Sequence, residues 1–469
     1  MSRISYDNGA PLELFITGES KDNVKKSEII KDDQDAQNTK INEEIKIMYN
    51  VRGTSGLQNL GNTCYMNAGL QCLSAIDIFT TYMFSKKFVK RQQLNIMQKL
   101  ANDERKKKKL SDTSDVEIDN KDIIKIAKKS VTYGYYHLMK NMWSDIQTVN
   151  PDVFKSIIGS HNEVFRGYTQ QDSQELINFT LDNIHEELKT TVDVNYIDVP
   201  ECVIQFRDGL KLICDSINNV PNEESANLIS IYKKYLDENM REYVRNTSLE
   251  YWEKYIKKSH SIIRDIFTGM TYTSTKCMKC GITSLAFEPY LMLDLAIPSS
   301  DKPVSIEECF KNFSKEQKLS GENKYKCNTC KEYNDAIQTT HIWEPPEVLI
   351  IHFKRFSNKM IGKRCHMEKN LTKITYPLTN LDLSSIYSPH INKDVRYELK
   401  GVVQQYGSLN GGHYTACCKN HMNDKWYSYD DSRVNGIPDD KVEDHIVCKS
   451  AYILFYVKQY NSMITDDEM

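Results

Sequence analysis

Apolar residues divide the chain into three textures. Residues 1–52 are polar and charge-rich with few aromatics, which predicts a flexible arm lacking the apolar surface to build a core. Between Tyr65 and Leu73, the residues Met66, Leu70 and Leu73 fall at i, i+4 and i+7, one face of a helix. Leu176, Phe179, Ile184 and Leu188 keep helical spacing across Ser173–Leu188, with acids filling the other face. The stretch Glu104–Lys121 carries a basic run from Arg105 to Lys109 and predicts a solvated loop, and 191–260 reads as mixed helical and polar. After Ile266 the period changes. Short segments rich in Thr, Tyr, Val, Ile and Phe, broken by Gly, Pro and Asn, predict strands at Val348–Phe356, Tyr397–Tyr406, His413–Cys418, Lys425–Tyr429 and Ala451–Val457. Helices first and strands later predict an α+β fold rather than alternating βαβ units, and no internal repeat is visible.

The chain has 469 residues, 40% hydrophobic and 27% charged, enough for a sizeable core. Its 61 basic and 64 acidic residues leave a net charge of -3, so it is not built as a polyanion binder and no nucleic-acid partner is expected. No apolar run approaches the length of a membrane span, and the first residues lack the apolar core of a secretory signal. The expectation is an intracellular protein, cytoplasmic or nuclear, within a host cell if the source is viral. In a reducing compartment its 13 cysteines should be thiols, metal ligands or nucleophiles rather than disulfides.

Four of those cysteines form two CxxC pairs, Cys277/Cys280 and Cys327/Cys330, with 46 residues between them. Each CxxC turn brings two thiolates to one ion, and two turns complete a closed tetrahedral shell. The expected cofactor is one structural Zn2+, its surplus negative charge offset by Lys276, Lys279, Lys326 and Lys331. The alternative is a degenerate site that keeps its shape without metal. A catalytic zinc is disfavoured because no coordination position is left open.

Cys64 stands apart from the other cysteines. Gly61, Asn62 and Thr63 are turn and cap formers, and the helical stripe begins just after, so Cys64 is placed at a helix N-terminus, where backbone N–H groups and the macrodipole favour a thiolate and could help hold an oxyanion. Cys72, two turns on, reads as a core thiol. His413 follows Gly411 and Gly412 and opens a strand. A turn centred on His421–Met422 would pair His413 directly with Asp430 on the next strand, and a slip of one residue would substitute Asp431. The carboxylate is expected to accept the His413 Nδ1–H and leave Nε2 towards Cys64.

Taken together these segments resemble the ubiquitin-specific protease family. Gly56–Asn67 (GLQNLGNTCYMN) is similar to its cysteine box. Gly411–Ala416 with Trp426–Ser432 is similar to its histidine box, and Tyr168–Glu175 (YTQQDSQE) to its QQD segment. Phe267–Gly269, the CxxC pairs, Glu288–Pro289 and Ile350–Phe356 follow in the family's order, so the resemblance runs from about Gly53 to about Lys458. It implies a papain-like cysteine protease fold: a helical thumb over about 53–265, zinc-bearing fingers over about 270–340 and a palm sheet over about 341–458, with an arm at 1–52 and a tail at 459–469. It further implies ubiquitin and ubiquitinated proteins as partners, a monomer, and hydrolysis of bonds to the C-terminal glycine of ubiquitin. In that scheme Cys64 is the nucleophile, His413 the general base, Asp430 its orienting residue and Asn59 the oxyanion-hole side chain. Asp172 and Glu175 match acidic positions that meet the basic ubiquitin tail. Two departures stand out: Gln405 replaces a common histidine before Tyr406–Gly407, which changes loop contacts, and Tyr290 replaces a common Phe. The competing readings are a catalytically silent ubiquitin-binding scaffold and a protease for another ubiquitin-like modifier.

Overall fold

The segment Val348–Phe353 is apolar at every position but His352, and buried throughout, because the strand it forms is covered on both faces. In the computed structural model this strand lies in a sheet of eight strands. Its order is Arg433–Gly436, Trp426–Asp430, His413–Lys419, Arg396–Tyr406, Ala451–Gln459, Val348–Lys354 and Leu293–Ala296, with Leu381–Asp382 added alongside Arg396–Tyr406. All pairs are antiparallel except that between Val348–Lys354 and Leu293–Ala296. The structure describes residues 53–460, apart from 110–117, 193, 197–198, 220–224, 258, 362–363, 392 and 409–410, together with the strands Arg3–Tyr6 and Ala10–Ile16. These two strands lie within the stretch expected to be a flexible arm, and the second pairs with Val194–Tyr196. The rest of that arm and the tail from 461 lie outside the described residues.

Alternation along the strands sends successive side chains to two separate cores. Val348 and Ile350 join the helical side with Tyr414, Ala416 and Cys418. Leu349, Ile351 and Cys417 join the opposite core, with Ile306 and Phe310 of the helix Ile306–Phe313. The helix Cys64–Ser74 is buried along its whole length, which its small residues allow. Gly401 on the sheet has no side chain where one would stand 3.2 Å from the Cys72 sulfur, and Gly69 leaves room for Ser173 and Ile177 of the helix Ser173–Leu188. Cys72 is a fully buried core thiol, its Sγ 3.7 Å from that of Cys418.

A second sheet, ordered Gln317–Leu319, Ala336–Glu344, Gly269–Cys277 and Thr283–Tyr290, forms the fingers. Helices Glu201–Asn218, Ser225–Glu238 and Met240–Lys257 fill the stretch that reads as mixed helical and polar. Val244, Trp252 and Ile256 of the last pack on Tyr272, Phe287 and Trp343 of the fingers. Two expectations are corrected. The loop expected from Glu104 starts later, because Lys86–Lys108 is one helix closed by Lys109 in the left-handed conformation. Nor do the fingers run unbroken to 340: Leu293–Ala296 and Ile306–Phe313 return to the palm, since their apolar residues belong to its second core. Among the described residues, no helix is long and apolar enough to cross a membrane.

Arg355 shows how the palm closes. It is fully buried, donating from Nε to the Ala451 carbonyl at 2.7 Å and from Nη1 to those of Asn370 and Thr372 at 2.9 and 3.0 Å. Burial pushes its guanidinium down to about 10. Arg355→Met keeps the apolar stem but strands three buried carbonyls, and should cost about 2–3 kcal/mol in urea unfolding.

Candidate active site and metal centre

Cys64 is the first residue of its helix and is 3% exposed. The helix start is built from the loop before it. The Asn59 Oδ1 accepts the backbone N–H groups of Gly61 and Thr63 at 2.9 and 3.1 Å, while Gly61 and Asn62 take positive φ to make the turn. The expected thiolate is not what this setting favours. Burial pushes the Cys64 thiol above its ordinary value and the charge of Asp431 adds to that. Backbone N–H groups of Tyr414, Tyr65 and Cys64 itself act the other way without reversing the sign. A nucleophilic role for Cys64 would therefore call for a positioned base.

His413 is the candidate base, and the backbone N–H of its neighbour Tyr414 faces the Cys64 sulfur. The His413 Nε2 lies 2.7 Å from the Asp430 Oδ1. The residues are as expected, but both the register and the ring nitrogen differ. The ladder pairs Ala416 with Tyr429 and Lys419 with Trp426, so Asp430 is diagonal to His413 rather than opposite. The cause is a longer turn: Asn420 accepts the Met422 N–H through its side chain, Asp424 adopts positive φ, and Asn420 and Lys425 close four residues instead of two. A shift of two preserves the face, which is why Asp430 still meets the ring. The longer diagonal also explains the nitrogen, since Nε2 stands farther from Cβ than Nδ1 and spans the gap.

Asp431, the neighbouring acid, does something else. Its Oδ2 accepts from the Asn59 Nδ2 at 2.8 Å and its Oδ1 from the Asn67 Nδ2 at 2.7 Å. Its carbonyl accepts the Leu57 N–H at 2.9 Å. Asn59 is thus fixed from both ends: its oxygen by backbone donors, one amide hydrogen by Asp431, and the second hydrogen left for a ligand. Asn67 was not singled out from the sequence. Its position three residues after Cys64, on the same helical face, was the available signal.

Asp172 caps the helix Ser173–Leu188 through the Gln174 N–H at 2.8 Å and accepts the Tyr452 hydroxyl at 2.6 Å. Glu175 is exposed one turn on. Partial desolvation at its base lifts its carboxyl above the ordinary value and the charge of Asp172 lifts it further, so a cation here would favour its charged form. Lys155 holds the loop before Tyr168 by donating to the Phe165 and Gly167 carbonyls. Gln170 donates to the Gly412 carbonyl at 2.7 Å, joining this loop to the residue before His413. Gln405 is buried and donates to the Tyr406 and Ser408 carbonyls at 3.0 and 2.9 Å, supporting the start of the same loop.

At the far end of the fingers the Sγ atoms of Cys277, Cys280, Cys327 and Cys330 lie within 4.8 Å of one another. The two CxxC turns repeat one geometry. Gly281 and Lys331 take positive φ, Gly281 N–H bonds the Cys277 carbonyl at 2.9 Å, and Lys331 N–H bonds the Cys327 carbonyl at 2.8 Å. The Cys280 and Cys327 sulfurs are 3.7 Å apart. Tetrahedral zinc with bonds near 2.3 Å sets sulfurs about 3.8 Å apart, so the donor set fits. At Cys327, burial pushes the thiol up but the N–H groups of Cys330 and Thr329 and the neighbouring thiols outweigh it, bringing it to about 7. Of the lysines expected to offset the cluster's charge, Lys279 pairs with Glu332 and also feels the charge of Cys330 and Cys277.

The family model described as "Ubiquitin carboxyl-terminal hydrolase" matches residues 55–456. A protein named as a probable ubiquitin carboxyl-terminal hydrolase in Acanthamoeba polyphaga mimivirus is 28% identical over 87% of this chain and 91% of its own length. Ubiquitin carboxyl-terminal hydrolase 2 of Gallus gallus is 30% identical over 87% of this chain and 94% of its own length. The chain spans 54% of the length of the Rattus norvegicus protein of that name. In fold it is similar to a chain of the SAGA Ubp8/Sgf11/Sus1/Sgf73 DUB module bound to ubiquitin aldehyde, with a TM-score of 0.59, 22% identity, and coverage of 91% of this chain and 75% of that one.

Metal analysis of the purified protein should find about one zinc per chain, lost in Cys277→Ser or Cys330→Ser, with an earlier melting transition because binding is coupled to folding. Well-folded wild-type protein without metal would mean the four thiols hold their shape alone.

Proposed function

Because this chain belongs to the ubiquitin carboxyl-terminal hydrolase family, we propose that it is a deubiquitinating cysteine protease that cleaves bonds to the C-terminal glycine of ubiquitin through Cys64, His413 and Asp430. The observation that carries this is a helix-start thiol facing the Tyr414 backbone N–H and the Asp431 carboxylate, with the adjacent His413 imidazole held by Asp430 at 2.7 Å and the Asn59 amide held by Asp431. The His413 Nδ1, free of Asp430, takes the Cys64 proton as Sγ attacks the glycine carbonyl. The resulting oxyanion accepts from the Asn59 amide hydrogen not spent on Asp431 and from backbone N–H at the helix start. Collapse breaks the C–N bond, and the departing lysine amine takes the proton from His413. Water, deprotonated by His413, then attacks the thioester and releases the ubiquitin carboxylate and the thiol. Asp430 holds the ring in position and stabilises its charged form.

Glu175 and Asp172 receive the basic tail of ubiquitin, whose positive charge offsets the desolvation and the Asp172 charge that lift the Glu175 carboxyl. Cys277, Cys280, Cys327 and Cys330 hold Zn2+, which supplies a structural crosslink at the tip of the fingers and no reaction chemistry.

Hydrolysis of a fluorogenic ubiquitin substrate tests the reading. Cys64→Ala should abolish turnover while keeping the fold and ubiquitin binding, whereas Cys72→Ala should stay active at a packing cost of about 1–2 kcal/mol. A folded wild-type protein that binds ubiquitin without turnover would point to a silent scaffold. Asp430→Ala should lower kcat about 100-fold with a smaller change in KM. Asp431→Ala loosens Asn59 and Asn67 without touching His413 and should cost less, about 10-fold. The reverse order would exchange the roles of the two acids.

A further inference from the structure

The order of strands gives the cleft two distinct sides. The His413 strand lies between the Trp426–Asp430 strand on one side and Arg396–Tyr406 and then Ala451–Gln459 on the other. Asp172 bonds Tyr452, and so belongs with the latter. On the opposite side an open cleft of about 460 Å³ is lined by Gln58, Asn59, Asp430, Asp431, Ser432 and Arg433. If the ubiquitin tail enters past Asp172 and Glu175, the group that leaves with the lysine amine occupies this second cleft.

Its charged groups are unequally committed. Asp430 is engaged by His413, and Asp431 by Asn59 and Asn67. Arg433 sits directly opposite Asp430 across the turn, so their side chains share a face. It is exposed, and its side chain makes no hydrogen bond or ion pair among the described residues. Its backbone is nonetheless held. The preceding turn is bonded to Leu57 through the Asp431 carbonyl, and Gly56 lies so close that a side chain there would strike the Ser432 carbonyl at 2.4 Å. Val434 packs on the helical core. Asp145 lines a separate cavity beyond Ser432. The result is a single uncommitted guanidinium on a fixed turn, at the mouth through which the modified lysine leaves.

We propose that Arg433 selects the leaving group: its guanidinium binds an acidic side chain next to the modified lysine, so conjugates on acid-flanked lysines are the preferred substrates. This rests on the hydrolase reading above and adds a substrate class to it. Arg suits the role because its fork matches a carboxylate in two-point geometry. An exposed pair of this kind changes a rate by roughly threefold.

The test uses ubiquitin joined through an isopeptide bond to the central lysine of a short peptide, with Glu on both sides in one conjugate and Lys in the other. Wild-type protein should cleave the Glu-flanked conjugate with about threefold higher kcat/KM, and the ratio should shrink towards one at high ionic strength. R433K should keep the preference, R433A should remove it and R433E should invert it. An equal ratio in wild type and R433E overturns the inference, and the hydrolase reading survives provided the fluorogenic substrate is cleaved. Failure of the wild-type protein to cleave any of the three substrates overturns both.

Discussion

One carboxylate joins the three segments on which the site depends. Asp431 belongs to the histidine hairpin, yet it bonds Asn59 in the loop before Cys64 and Asn67 inside the Cys64 helix. The hairpin lies 372 residues from Asn59 and 364 from Asn67, and the entropy of bringing it to the loop and helix is a fixed cost of the fold. A charged acceptor serving two amide donors makes bonds stronger than neutral ones. Its positive φ of 52° turns the chain so that Asp430 and Asp431 face different partners. The same turn leaves Arg433 on the outer lip of the cleft.

This bridge acts on a platform that the palm makes rigid. The Cys64 helix is buried on every side, seated against Gly401 of the sheet and packed through Gly69 against the helix Ser173–Leu188. Dense packing around both faces of the sheet leaves few ways to displace the thiol relative to the imidazole. Burial has a chemical consequence as well. It pushes the Cys64 thiol above its ordinary value, which makes a positioned base more important to any reaction at this sulfur.

Much of this was legible in the sequence, and the exceptions follow from what local patterns encode. Helical spacing located Cys64–Ser74 and Ser173–Leu188, and β-rich segments located the palm strands. The CxxC spacing located a cluster that no single pair would have shown. The hairpin register was misjudged because the turn length depends on an Asn420 side-chain bond and a positive φ at Asp424, which spacing does not reveal. The face was right because register errors of two leave it unchanged. The ring nitrogen was wrong for the same reason, since the reach depends on the true offset. Asn67, Gln170 and Tyr452 were missed because their partners lie far along the chain, at Asp431, Gly412 and Asp172. The return of Leu293–Ala296 to the palm was missed because parallel pairing with Val348–Lys354 leaves no local turn signal.

The central claim is that Cys64, among 13 cysteines, is the group that forms a covalent bond to the ubiquitin C-terminus. The most direct measurement is intact-mass and peptide-mapping analysis of the full chain after incubation with ubiquitin carrying a C-terminal thiol-reactive electrophile. The account predicts one ubiquitin per chain, attached at Cys64, with no labelling after denaturation of the ubiquitin probe. A stoichiometric adduct at any other cysteine, or no adduct on folded protein, would contradict it.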